Sequence, residues 1–255
     1  MQRSNMQMHS NPFQAAKAEW DEMTPEQKRV RRKIYEAERA SRQRDAIRRL
    51  QDAIFSNRIK FSRIPDEYRS ASVEECPIEI QRYSAAIEAG SRESLMLRGS
   101  PGTGKTYSAC AVMLKAAAVA TVRFTTVAAF LRDVNGVWIN RDRTPAEVLH
   151  EYERCGLLTI DDLGKEVPKE TSLSLLWELI DARKANGRPT IYTTNYDGRS
   201  LMERFAQGSD IETARATVDR LKESNVVLFD GLSRRKRCET VMDPLFGFDE
   251  LGGVQ

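Results

Sequence analysis

Residues 94–106 read Ser-Leu-Met-Leu-Arg-Gly-Ser-Pro-Gly-Thr-Gly-Lys-Thr, and no other stretch constrains the fold so tightly. The apolar run Leu95 to Leu97 predicts a buried strand, and Ala109 to Ala118 predicts a helix. Between them, Gly99, Gly104, Lys105 and Thr106 have the spacing of a phosphate-binding loop. The spacing has a physical cause. Glycines let backbone N–H groups curl around an anion with no Cβ in the way. The helix that follows adds its positive end. Lys105 then reaches the outer phosphates, and the Thr106 hydroxyl is placed to ligate Mg²⁺. Gly99, Ser100, Pro101, Gly102, Thr103, Gly104, Lys105, Thr106 and Tyr107 are the expected nucleotide contacts.

A second element completes this chemistry. Leu157-Leu-Thr-Ile-Asp-Asp-Leu-Gly164 reads as a buried strand ending in two carboxylates. Buried acids are costly without a cation or hydrogen bonds, which favours a functional reading. Asp161 is the expected Mg²⁺ holder and Asp162 the group that activates the attacking water. Pro189-Thr-Ile-Tyr-Thr-Thr-Asn195 predicts another strand, whose terminal amide, Asn195, can orient that water. The alternation of strands and helices implies an α/β fold, a parallel sheet covered on both faces. Its strand ends would bring these groups to one edge.

Length and charge bound the rest. The chain of 255 residues suits one sizeable α/β domain plus a small appendage. No apolar run is long enough for a bilayer, and residues 1–10 lack the apolar core of a secretory signal, so a cytoplasmic protein with no membrane partner is expected. Cys76, Cys110, Cys155 and Cys238 are scattered and the histidines number two, which argues against a disulfide framework or structural zinc. The net charge is +3, yet residues 1–60 carry 14 Lys/Arg against 8 Asp/Glu. The leading segment is therefore basic and the remainder mildly acidic. Such a segment suits nucleic acid, an acidic protein face or simple solvation.

Three segments follow from this pattern. Residues 1–60 form a basic helical module for partner binding, its first ~20 residues disordered and its helix opened by Thr24-Pro-Glu-Gln27. Val30, Ile34 and Ala37, then Ile47, Leu50 and Ile54, give it a narrow apolar stripe over about residues 25–57. Residues 61–240 form the nucleotide domain, and 241–255 a loosely ordered tail. Within the domain, a helix over 127–134 should give way to a polar and basic insertion over 135–143.

Five motifs occur in a characteristic order: Gly99–Thr106, Ile160-Asp-Asp-Leu-Gly-Lys-Glu166, Thr193-Thr-Asn195, Val218-Asp-Arg-Leu221 and Gly231-Leu-Ser-Arg-Arg235. Together they resemble the DnaC-type helicase loaders of the AAA+ ATPases, close to the IstB-type transposition helper ATPases. The resemblance spans roughly residues 60–237. It implies ATP and Mg²⁺ as cofactors and ATP hydrolysis as the activity. It implies a replicative hexameric helicase held by the N-terminal helices, or alternatively a transposase. A nucleotide-binding adaptor that scarcely hydrolyses is a third reading. It places Arg220 as an arginine finger in self-association, and Arg235 as a γ-phosphate contact within the subunit. Without the resemblance, both also read as surface arginines. It further implies single-stranded DNA near Arg132, Trp138, Arg141 and Arg143, through phosphate contacts and stacking. AAA+ proteins usually have Glu where this chain has Asp162, which implies slower hydrolysis.

Overall fold

A computed structural model describes residues 12–140, 143–167 and 169–231. The chain divides into two compact units, Met1–Ile54 and Phe55–Gln255. Among the described residues no helix is long and apolar enough to cross a membrane.

In the first unit, helix α1 (Pro12–Glu22) precedes the start of α2 (Pro25–Phe61). Helix α1 thus falls within the first ~20 residues, ahead of the Thr24 cap. Thr24 and Gln27 form the anticipated reciprocal cap, each side chain bonding the other's backbone N–H. Arg31 pairs with Glu19 at 2.7 Å, tying α2 to α1. The 37-residue α2 is a single helix with no buried residue. Ile34 (53% exposed) and Leu50 (62%) are among its uncovered apolar side chains.

The second unit begins with the last turns of α2. There Arg58 donates to the Ala117 and Ala118 carbonyls, and Ile59 packs against the core. After α3 (Ile78–Glu88) come β1 (Leu95–Gly99), α4 (Lys105–Ala116), β2 (Val122–Thr126), α5 (Val127–Asn140), α6 (Pro145–Arg154) and β3 (Leu157–Leu163). Helix α7 (Glu170–Ala185), β4 (Thr190–Thr194), α8 (Gly198–Gly208), α9 (Ile211–Lys222) and β5 (Asn225–Phe229) complete it. The sheet is parallel throughout, in the order β2-β3-β4-β1-β5. Strand side chains alternate between faces. Leu95, Leu97, Leu157 and Ile191 join α3 and α4 in one core cluster; Met96, Leu158, Ile160 and Tyr192 join residues from α5 to α9 in the other.

Two local differences from the sequence reading stand out. Helix α5 continues to Asn140, through most of the stretch expected to be an insertion. The β3–β4 register also slips between Ile160 and Leu163, and Asp162 takes a left-handed φ of 57°. The ladder pairs Ile160 with Tyr192 and Leu163 with Thr194. Asp161 and Asp162 therefore both face Thr193, which is a β-bulge. The basic run 232–237 and the tail 241–255 lie outside the described residues.

Candidate functional site

The register sets the site. Parallel pairing aligns Leu97 with Thr193 and Thr126 with Asp161, so the carboxyl ends of the strands meet at one edge. That is where open α/β sheets bind ligands. Gly99 must be glycine, since a Cβ there would sit 2.2 Å from the Phe229 carbonyl oxygen of β5. Gly104 caps α4 at φ 102°, which points the first α4 amides into the loop.

Lys105, buried on the first turn of α4, donates from Nζ to the carbonyls of Gly99 and Ser100 and to Asn195 Oδ1, each at 2.8 Å. The ammonium is thus held at the mouth of the loop by acceptors that a phosphate can replace. Asn195 stands at the end of β4 as expected, and the structure joins it to Lys105. Thr106 Oγ1 donates to Asp161 Oδ1 at 3.0 Å. Asp161 is 7% exposed, and burial raises its pKa above the usual carboxylate range. The Thr193 and Thr106 hydroxyls oppose that rise, while the Asp162 charge adds to it. Asp162 is more open and pairs with Lys165 at 3.0 Å.

These groups border a cavity of about 570 Å³. Pro101, Gly102, Gly104, Lys105, Thr106, Tyr107, Asp162 and Asn195 line it, all residues singled out from the sequence. Tyr68, Glu75 and Lys165 also line it and were missed. Tyr68 and Glu75 lie in short 3-10 turns before β1, a region with no motif to mark it. Tyr107 Oη bonds Glu75 and accepts from the Ser72 backbone N–H, which fixes the wall. Burial, with Glu67 nearby, pushes the Tyr68 hydroxyl up to about 12, so it stays a neutral donor beside an apolar ring face.

The residues fit a nucleotide and a hard cation. The glycine cradle and the α4 amides suit phosphates. A buried carboxylate against a hydroxyl is a hard oxygen pair suited to Mg²⁺. Among the described residues no cluster of three or more His, Cys, Asp or Glu could hold a metal. A cation at Thr106 and Asp161 would therefore need phosphate oxygens and water, the usual manner of Mg²⁺.

The remaining predicted residues lie elsewhere. Arg220, on α9, pairs with Asp181 at 2.7 Å and with Glu223 at 3.1 Å, and does not line the cavity. Arg132 is exposed on α5. Arg143 is exposed and pairs with Glu151, which also holds Arg123 at 2.9 Å. Arg141, Arg235 and the side chain of Trp138 lie outside the described residues.

Comparison with known proteins agrees with this geometry. Residues 10–241 match the family model of the IstB-like ATP binding protein. A protein of Mycobacterium tuberculosis described as an ATP-binding protein in an insertion sequence is 30% identical over 210 residues, covering 80% of this chain and 79% of that protein. The replicative helicase loader DnaC of Escherichia coli K12 is 25% identical over 134 residues, 48% of this chain and 54% of DnaC. Among solved structures, that of DnaI gives a TM-score of 0.56 at 22% identity, covering 66% of this chain and 95% of that one. The DnaC helicase loader crystal structure gives 0.54 at 20%, covering 65% and 100%. These likenesses show the AAA+ P-loop fold. Taken with the match over residues 10–241, they establish that the chain belongs to the IstB-like ATP-binding family.

Proposed function

We propose that this protein is a Mg²⁺-dependent ATPase that loads a replicative hexameric helicase onto single-stranded DNA, with hydrolysis as the release switch. The observation that carries the partner-binding part is α2. Its exposed Val30, Ile34, Ile47, Leu50 and Ile54 lie among arginines, and no residue of the helix is fully buried. Isolated helices of that kind depend on packing against another surface. An acidic-rimmed apolar face on the helicase meets the need. In this reading residues 1–60 grip the partner, 61–240 bind and hydrolyse ATP, and 241–255 are an accessory tail.

Each residue then has a role that its surroundings support. Lys105 exchanges its loop carbonyls for the outer phosphates. Thr106 and Asp161 would hold Mg²⁺, which would neutralise charge on the transferring phosphoryl group. Asp162 accepts the proton of the attacking water, and Asn195 orients that water. Releasing Lys105 from Asn195 frees the amide at the moment phosphate arrives. Arg220 acts on the nucleotide of a neighbouring subunit, which requires it to leave Asp181 and Glu223. Hydrolysis is thereby conditional on assembly.

A second reading has its own support. The insertion-sequence relative aligns over more of this chain than DnaC does, 80% against 48%. An ATPase that assembles on DNA and assists a transposase fits that likeness. Pull-down with the host's replicative helicase and with a transposase from a neighbouring gene, in ATP and in ADP, separates the two. The loader reading expects ATP-dependent capture of helicase, lost when residues 1–54 are removed. Capture of the transposase alone would reject it. The cut belongs at residue 54, because Arg58 and Ile59 are built into the nucleotide unit.

A further inference from the structure

The bulge in β3 creates a local problem that one side chain solves. Two residues, Asp161 and Asp162, oppose the single residue Thr193. A bulge leaves a backbone group without a ladder partner, and burying it unsatisfied is costly. Here the Asp162 N–H donates to Thr193 Oγ1 at 2.9 Å. The same hydroxyl donates its one hydrogen to Asp161 Oδ1 at 2.6 Å. A hydroxyl has one donor and two acceptor sites, so Thr193 spends its donor on one carboxylate and accepts from the backbone of the other residue. Thr193 is fully buried, and its β-branched side chain is stiff at χ1. On the far side of the bulge Thr194 Oγ1 donates to the Leu163 carbonyl at 2.7 Å.

The consequence is geometric. In a regular strand, successive side chains leave on opposite faces. The left-handed turn at Asp162 breaks that alternation. Asp161 then meets Thr106 while Asp162 lines the same cavity.

We propose that Thr193 is a positioning residue for hydrolysis: its hydroxyl pins the β3 bulge and so aims both Asp161 and Asp162 at the nucleotide. This rests on the ATPase reading above. Thr193→Val keeps the shape but takes the donor from Asp161 and the acceptor from the Asp162 N–H. Thr193→Ser keeps both.

The test is run on the full chain with two readouts. One is ATP affinity by titration calorimetry, with Mg²⁺ and with EDTA. The other is kcat. For Thr193→Val, affinity in EDTA stays within about twofold of the parent. The gain that Mg²⁺ gives is lost, and kcat falls about ten- to a hundred-fold, as the loss of a buried charged hydrogen bond implies. Thr193→Ser recovers both. Thr193→Ala, run alongside, provides the same comparison if the valine variant aggregates. If Val and Ala lower Tm yet keep the Mg²⁺ gain and the parent kcat, Thr193 is merely structural and the proposal is overturned. It is equally overturned if Ser fails to restore what Val removes. If the parent binds Mg·ATP but does not turn over, the ATPase reading fails, and the Mg²⁺ gain in affinity still decides the role of Thr193.

Discussion

Replacing Arg183 with leucine should destabilise the nucleotide unit more than any surface change. Arg183 on α7 is 1% exposed. Its acceptors are the carbonyls of Tyr152, Glu153, Cys155 and Pro189, the Thr190 hydroxyl and the Cys155 thiol, at 2.7–3.3 Å. Three of those carbonyls lie at the C-terminal end of α6, which attracts a cation. The guanidinium thus ties α6 to α7 and to the start of β4. Burial lowers its pKa, but it remains charged at any working pH. Leucine fills part of the volume; the Pro189 carbonyl keeps the Leu158 N–H and the Tyr152 carbonyl keeps the Cys155 thiol, but the Glu153 and Cys155 carbonyls lose their donor. A buried carbonyl left unsatisfied costs about 1–3 kcal/mol, so the two that lose their donor cost about 2–6 kcal/mol together. For a domain of this size each kcal/mol moves Tm by about 2–4 °C, so a fall of roughly 4–24 °C is expected. Arg183→Lys keeps the charge but not the planar fork, and should lie between. The assay is calorimetric unfolding of the full chain without nucleotide, at one protein concentration. A fall of less than about 2 °C for the leucine variant would refute the reasoning, because those carbonyls would then have found other partners at no cost.

Other outcomes follow from the same geometry. Asp162→Asn keeps the shape and removes the base, so ATP should still bind while turnover disappears; hydrolysis at the parent rate would remove Asp162 from the mechanism. Arg220→Ala should bind ATP normally and hydrolyse poorly, by up to the ~10³–10⁵-fold that arginine fingers supply. Mixed with Asp162→Asn it should recover activity above the sum of the two, and an ATPase rate that stays additive across mixing ratios would count against action in trans. Gly99→Ala places a Cβ against the Phe229 carbonyl at φ 153°, so soluble yield and ATP binding should both collapse, as gel filtration and titration would show.

The sequence made the site's order legible because its chemistry is local. Gly99 to Thr106 is one continuous loop, and the Asp161-Asp162 pair ends one strand, so spacing alone exposes both. Asn195 was legible for the same reason. The bond from Asn195 to Lys105 was not, since it joins residues 90 apart through sheet order. Tyr68 and Glu75 escaped because their turns carry no periodicity. Arg183 belongs to no motif; only the meeting of α6, α7 and β4 buries it. The bulge at Asp162 left no mark either, because two aspartates in a row read the same in a regular strand as in a bulged one. For Arg220 and Arg143, sequence named the residues but not their own-subunit partners, Asp181 with Glu223 and Glu151.

The central claim is that Lys105 serves a nucleotide held at the β1–α4 loop. Titration calorimetry of ATP into the full chain and into Lys105→Ala, with Mg²⁺ present, tests it most directly. A charged hydrogen bond to phosphate contributes ~1.5–3 kcal/mol, offset in part by the loop carbonyls and Asn195 that Lys105 gives up. The account predicts that affinity falls roughly ten- to a hundred-fold. Equal affinity in the two proteins would contradict it.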